Sequence, residues 1–321
     1  MGVFQRKVPF GLIGEEPIGL VLSGGGAKGS YQAGVWKAMA ELGLTDRVRA
    51  ISGTSIGAIN AAAFAALGSP ASVKRFWMEN VESAADVRPG LLTPHSLDIT
   101  VDRLLWGEKF PLPSLLDRKG LERMLRERLP AVWPANGPAV YATALECRVR
   151  LWGPWGRRGY KLRRFRVDCE PDPEKRVRFL LASSAIPWGF TPVKIDGASF
   201  VDGGWEARGG DNTPLAPILD NHPELRTIVV VRLNTGVDDP VPLTLPPRTS
   251  AKIIEIRPSK TLPGPLAKVD ESLDALDTRR DSKIRRNIRT WSGVIAFDPV
   301  YARQSFDLGY ADARAMLELT N

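Results

Sequence analysis

Two glycine-containing turns constrain this chain more than any other feature. The apolar run Ile18 to Ser23 (IGLVLS) enters GGGAKG at residues 24–29, and Val48 to Ser52 enters GTSIG at residues 53–57. Short apolar runs ended by glycine read as buried strands. The segment after each turn has helical character. Tyr31, Val35, Trp36, Met39 and Leu42 lead to the terminator Gly43, and Ser55 to Leu67 is Ala-rich. Strand–turn–helix, written twice, favours a parallel or mixed sheet with helices on both faces.

The rest of the chain fits that pattern. Ala139 to Leu151 and Lys161 to Val167 read as a hairpin around GPWGRRG, Glu174 to Ser184 as a helix, and Thr227 to Leu233 and Ile253 to Ile256 as strands. Leu115 to Leu129 returns to helical periodicity. Two helical stretches close the chain, a charged one over 268–290 and an amphipathic one over 301–318. Residues 84–116 are rich in Pro and Gly, which suits irregular loops long enough to form a lid, and the Pro-rich stretch after Leu233 is a loop. No repeat and no linker separates two domains.

Composition removes several chemistries. Two cysteines, Cys147 and Cys169, exclude a disulfide framework and a four-thiolate zinc site, and two histidines, His95 and His222, leave little imidazole for acid–base work. The first residues carry basic groups without the 7–15 apolar residues of a leader behind them. Arg6 stands where a myristoylation motif wants Ser or Thr. The longest apolar stretch, Ile56 to Leu67, has 12 residues and contains Asn60, short of the roughly 20 needed to span a bilayer. The expected location is the cytoplasm, with peripheral membrane contact.

Gly24, Gly26 and Gly29 satisfy G-x-G-x-x-G, so nucleotide binding has to be weighed. A dinucleotide fold needs an acidic residue closing the second strand, and Ile51-Ser52-Gly53 has none. A phosphate-binding P-loop needs Gly-Lys-Ser, and here the order is Lys28-Gly29-Ser30. What the turn does offer is a row of backbone N–H groups at a helix N-terminus, donors for any developing anion.

The second turn is G-x-S-x-G. A sharp turn between strand and helix exposes the hydroxyl of Ser55, while Gly53 and Gly57 remove side chains that would clash. A serine nucleophile needs a base within hydrogen-bond reach. His222, in LDNHPELRT, is the histidine that could complete a Ser–Asp–His triad. The alternative is a carboxylate in Phe200-Val201-Asp202-Gly203-Gly204. Held beside Ser55, Asp202 could take its proton directly, provided partial desolvation raises its basicity.

GGGAKG, then GTSIG, then DGG, in this order and spacing, resemble the patatin-like phospholipase family of bacterial type. LASSAIPWGFTPV at 181–193, DNTPL at 211–215 and SFDLGYADA at 305–313 extend the likeness. The resemblance implies a three-layer α/β/α fold with a mostly parallel central sheet. It puts the catalytic core at 16–215, with 216–321 packed on the same unit. It further implies Ser55 as nucleophile, Asp202 as general base, and the N–H groups of Gly24, Gly25 and Gly26 as oxyanion hole. Lys28, Gly29, Gly53, Gly57, Gly203 and Gly204 would support the motifs. The implied reaction is acyl-ester hydrolysis of a phospholipase A or lysophospholipase kind, through an acyl-serine, with no metal or cofactor.

Residues 148–166 carry eight Lys and Arg interleaved with Trp152, Trp155, Tyr160 and Phe165. Such a hairpin is either a solvated basic face or a docking surface for anionic lipid. No nucleic-acid signature accompanies it, so none is expected as a partner. Three functions stay open on sequence alone: a Ser55–Asp202 lipid hydrolase, a His222-dependent esterase, and a non-catalytic nucleotide- or lipid-binding module.

Overall fold

The computed structural model describes residues 15–85, 93–94, 116–149, 158–187, 189–235, 243, 245, 250–262 and 299–318. The expectations for His95, for most of the lid segment, for the hairpin tip with Trp152 and Trp155, and for the charged helix over 268–290 lie outside these residues.

In chain order the elements are β1 (Ile18–Leu22), α1 (Ser30–Glu41), β2 (Val48–Thr54), α2 (Ile56–Leu67), α3 (Pro70–Ala85), the two-residue pair β3 (Thr93–Pro94) and β4 (Leu116–Asp117), and α4 (Lys119–Arg128). Then come β5 (Ala139–Val149), β6 (Arg158–Arg166), α5 (Pro173–Ser183), β7 (Val193–Ile195), β8 (Ala198–Asp202), α6 (Ala216–Asn221), β9 (Thr227–Val231), β10 (Lys252–Ile256) and α7 (Pro299–Leu317). The sheet runs β10-β9-β1-β2-β5-β8-β7, with β6 also paired to β5. Its heart is parallel, β10 to β9 to β1 to β2 to β5, and its flank of β6, β7 and β8 is antiparallel.

Burial explains the central run. All five residues of β1 are buried, as expected where a parallel strand is covered on both faces. Alternate residues go to opposite layers. Ile18, Leu20 and Leu22 join a large core with α1, α2, α3, α5 and α7, whereas Val21 joins a smaller one with Ile218, Ile228, Val230 and Tyr141. The architecture is three-layered and lopsided: a thick helical layer on one face and the six-residue α6 on the other.

Several elements differ from expectation. The helix expected from Leu115 begins at Lys119, because Leu116–Asp117 is spent pairing with Thr93–Pro94. Helix α3 has no counterpart in the sequence reading, nor has the β7–β8 hairpin, which turns at Asp196–Gly197 with φ of 49° and 79°. Helix α5 starts as a capped helix should, with Asp172 accepting from the Glu174 N–H at 2.9 Å and proline in its first turn.

On the described arms of the basic hairpin most cations already have partners. Arg148 and Arg163 share Glu146, Arg164 pairs with Asp220 at 3.3 Å, and Arg166 with Asp168 at 2.7 Å. Phe165 stacks on Phe179 at 4.3 Å between ring centres, so it serves the packing of α5 on the sheet. These three carboxylates offset part of the basic charge of the arms.

Candidate active site

Strand β5 brings the two candidate reactive residues together. One of its edges is taken along its length by β6, so β2 and β8 share the other. Parallel β2 ends with Thr54 opposite Thr143, and antiparallel β8 ends with Asp202 opposite Ala144. Two strands running in opposite directions therefore stop head to head against consecutive residues. Ser55, one residue past Thr54, meets Asp202, and the Ser55 hydroxyl donates a hydrogen bond to the Asp202 carboxylate.

Ser55 stands at φ 56°, ψ −126° between β2 and α2, a region that L-residues avoid and that costs about 1–3 kcal/mol unless its surroundings impose it. They do. A Cβ on Gly57 would lie 2.2 Å from Leu22 O, and one on Gly53 2.2 Å from Gly57 O, so α2 presses directly on the ends of β1 and β2. The Ser55 N–H donates to Ser183 Oγ at 2.9 Å, and its carbonyl accepts from the Ala58 N–H at 3.0 Å as α2 begins. The positive end of α2 lies at the hydroxyl.

Asp202 is 6% exposed. Burial pushes its carboxyl up to about 6, against the opposing effects of hydrogen bonds from the Ser55 hydroxyl and the Gly204 N–H, the latter at 2.7 Å. Gly203 lies close on β5, where a Cβ would come 2.2 Å from Thr143 O.

The glycine-rich turn faces this pair across an open cleft of about 300 Å³, lined among others by Gly24, Gly25, Gly26, Lys28, Ser55, Asp202, Asn212 and Asn234, with Ile186, Pro187 and Trp205 as its apolar wall. One expectation needs correcting. The Gly24 N–H is donated to Asn212 O at 3.2 Å, because the segment after β8 crosses the turn there. Among the described residues the N–H groups of Gly25 and Gly26 have no such acceptor, and these two are the donors left for an oxyanion. Lys28, 7% exposed, donates from Nζ to Asn234 Oδ1 at 3.2 Å, tying the turn to the end of β9.

Beneath the turn lies a buried amide network that the sequence hinted at through Asn60 alone. Asn60 Nδ2 donates to Gly29 O at 2.9 Å and to Gln32 Oε1 at 2.8 Å, its Oδ1 accepts from the Trp77 indole at 2.9 Å, and Gln32 Nε2 donates to Ser23 O at 2.8 Å. Asn60 and Gln32 are fully buried, where unpaired amides would be costly. The network locks α1, α2 and α3 around Gly29.

His222 is not brought to this site. Its ring nitrogens pair with Tyr141 Oη at 3.0 Å and Glu224 Oε1 at 3.3 Å at the end of α6. Ser52 and Pro214 mark where α6 leaves the strand ends, through the bond from Ser52 Oγ to Pro214 O. No three His, Cys, Asp or Glu side chains among the described residues form a group that could hold a metal ion. No helix among them is long and apolar enough to cross a membrane.

No curated protein matches the sequence significantly. Among solved structures, VipD from Legionella pneumophila is similar at 15% identity and a TM-score of 0.45, covering 95% of this chain and 67% of that one. Human GIVD cytosolic phospholipase A2 gives 12%, 0.42, 95% and 61%. The ExoU–SpcU complex of the Pseudomonas aeruginosa type III secretion system gives 17%, 0.32, 93% and 52%. The chain thus spans about half to two thirds of these proteins' lengths. The family described as patatin-like phospholipase matches residues 20–226, a stretch that runs from β1 to the threshold of β9 and contains both turns, Ser55 and Asp202. The chain belongs to the patatin-like phospholipase family.

Proposed function

We propose that the chain hydrolyses fatty-acyl esters with Ser55 as nucleophile and Asp202 as the sole general base. The observation that carries this reading is the buried Ser55–Asp202 hydrogen bond, in which desolvation raises the carboxyl to about 6. At neutral pH such a carboxylate is mostly ionised yet far more basic than an aspartate in water.

In the first half-reaction Asp202 takes the Ser55 proton as Oγ attacks the ester carbonyl carbon. The negative charge that forms on the carbonyl oxygen is met by the Gly25 and Gly26 N–H groups, preorganised donors in a partly dry site. Collapse breaks the bond to the alcohol, which leaves with the proton from Asp202. In the second half Asp202 accepts a proton from water, the hydroxide adds to the acyl-serine, and collapse frees the fatty acid while the proton returns to Ser55 Oγ. No residue beyond these is asked to move a proton.

The substrate we assign is a phospholipid or lysophospholipid ester. Support comes from the family and from the cleft, which combines an apolar wall with Lys28 and two asparagines. At its mouth Tyr160 packs edge-on against Trp205 at 5.3 Å, and the Arg208 guanidinium lies over both rings. Aromatic rings with a cation suit a lipid–water boundary, and we place the meeting with the lipid aggregate there.

A fluorophosphonate probe tests the assignment, with the adduct located by peptide mass spectrometry in wild type, Asp202→Asn and His222→Ala. Adduct on Ser55 that persists in His222→Ala and is lost in Asp202→Asn supports the dyad. Loss in His222→Ala would restore the triad. A folded wild type without adduct would favour a binding module.

A further inference from the structure

The end of α5 runs beneath the site and touches both members of the dyad. The Ser183 hydroxyl accepts from the Ser55 N–H at 2.9 Å and donates to Thr143 O at 2.6 Å. The Ser183 carbonyl accepts from the Gly203 N–H at 3.4 Å, and the Ala185 carbonyl from the Asp202 N–H at 2.9 Å. Ser183 and Ala185 are fully buried. Two residues at this helix end, Ser183 and Ala185, thus hold the backbone of the nucleophile and the backbone of the base.

The Ser55 N–H needs such a partner. It belongs to the unpaired donors at the start of α2, and at φ 56° it has turned out of the β2 ladder. A hydroxyl answers it because it can accept from Ser55 and donate to β5 together. Alanine at 183 would leave a buried N–H and a buried carbonyl without their partner. The strained turn would then lose the contact that fixes the Thr54–Ser55 peptide plane.

We propose that Ser183 is a positioning residue for the hydrolysis, its hydroxyl setting the orientation of Ser55 and the helix end that carries it setting the distance to Asp202. This rests on the dyad reading above. Ser183 does not line the cleft, so its loss acts on turnover and leaves substrate binding in place.

The test compares wild type, Ser183→Ala and Ser183→Cys, reading the second-order rate of fluorophosphonate labelling at Ser55, kcat and KM on a p-nitrophenyl ester, and the melting temperature. In Ser183→Ala labelling and kcat fall about 10- to 100-fold, as ångström-scale misplacement does. KM stays within about twofold, the pattern of a lost transition-state interaction. Ser183→Cys, which keeps the size and a weak acceptor, falls between the two. A Ser183→Ala enzyme that melts lower but labels at the wild-type rate while folded overturns the positioning role alone. Should that variant not fold, wild-type labelling in Ser183→Cys overturns it. A wild type without adduct on Ser55 overturns the dyad reading, and this inference with it.

Discussion

The Ser55 hydroxyl donates to the Asp202 carboxylate in a setting where each residue is only 6% exposed. Burial rather than a neighbouring charge makes this carboxylate basic, and the consequence is a pH profile. With the carboxyl near 6, kcat/KM should fall about tenfold per pH unit below that value and level off above it, the limb of one essential ionised base. His222→Ala should keep the limb where it is. Asp202→Asn should lose about 10²- to 10⁴-fold in kcat, the worth of a positioned proton acceptor. A limb that stays put in Asp202→Asn would assign the proton transfer to another group.

The same burial predicts that activity and stability oppose each other at position 202. The folded-state value is raised above the ordinary 3.8, so the folded protein holds this proton more tightly than the unfolded chain. The stability linked to it is present below about pH 4 and is lost as pH rises through about 6. Asparagine never ionises. Asp202→Asn should therefore unfold at higher urea than wild type above pH 6, by up to about 3 kcal/mol, with the gap closing toward pH 4. Urea midpoints at pH 4, 6 and 8 read this directly, and a gap independent of pH would show that the carboxyl ionises freely in the folded protein.

Particular residues show what the sequence could disclose. The two turns and Asp-Gly-Gly were legible because local chemistry defines them: apolar strand, glycine, helix. The β7–β8 hairpin was legible in principle, since Asp196–Gly197 between two short apolar runs is a hairpin turn signal. The use of the Gly24 N–H was not, because its acceptor Asn212 lies far along the chain. Ser183 was visible within a family-like segment, but its contact with Ser55 across 128 residues was not. The charge balance of the basic hairpin was legible only in part: Glu146 and Asp168 stand two residues from Arg148 and Arg166 in the sequence, whereas Asp220, the partner of Arg164, is brought from α6 by folding.

Close packing around Ser55 predicts a narrow tolerance at Gly57. A methyl group there would meet Leu22 O at 2.2 Å and Ser23 O at 2.7 Å, backbone atoms that cannot swing aside. Gly57→Ala should push α2 off β1, cost about 1–3 kcal/mol or more, and reduce labelling of Ser55 in the protein that remains folded. Gly43→Ala is the control. Gly43 has φ 69° with nothing within 4 Å of an added Cβ, so the cost there is strain alone, about 1–2 kcal/mol, with labelling unchanged. Equal labelling in the two variants would mean that α2 does not set the geometry of Ser55.

Helix α7 stabilises the glycine-rich turn from behind, and its contact with α1 separates folding from chemistry. A Cβ on Gly309 would stand 2.1 Å from Tyr31 O, and one on Gly34 1.9 Å from Phe306 O, so the two helices touch backbone to backbone. That approach buries Tyr31 completely and lets its hydroxyl donate to Asp312 Oδ2 at 3.0 Å. Asp312 also accepts from the Ser259 N–H at 3.0 Å beyond β10. Gly309→Val should pry the helices apart, strip Tyr31 of its partner and uncover Phe306 and Ala313, at a cost of about 2–5 kcal/mol from lost packing and an unpaired buried hydroxyl. Helix α7 contributes no residue to the cleft. Well below its lowered melting temperature the variant should label Ser55 within a few-fold of the wild-type rate, whereas a large loss of labelling in the folded variant would show that α7 sets the geometry of the glycine turn as well as its stability.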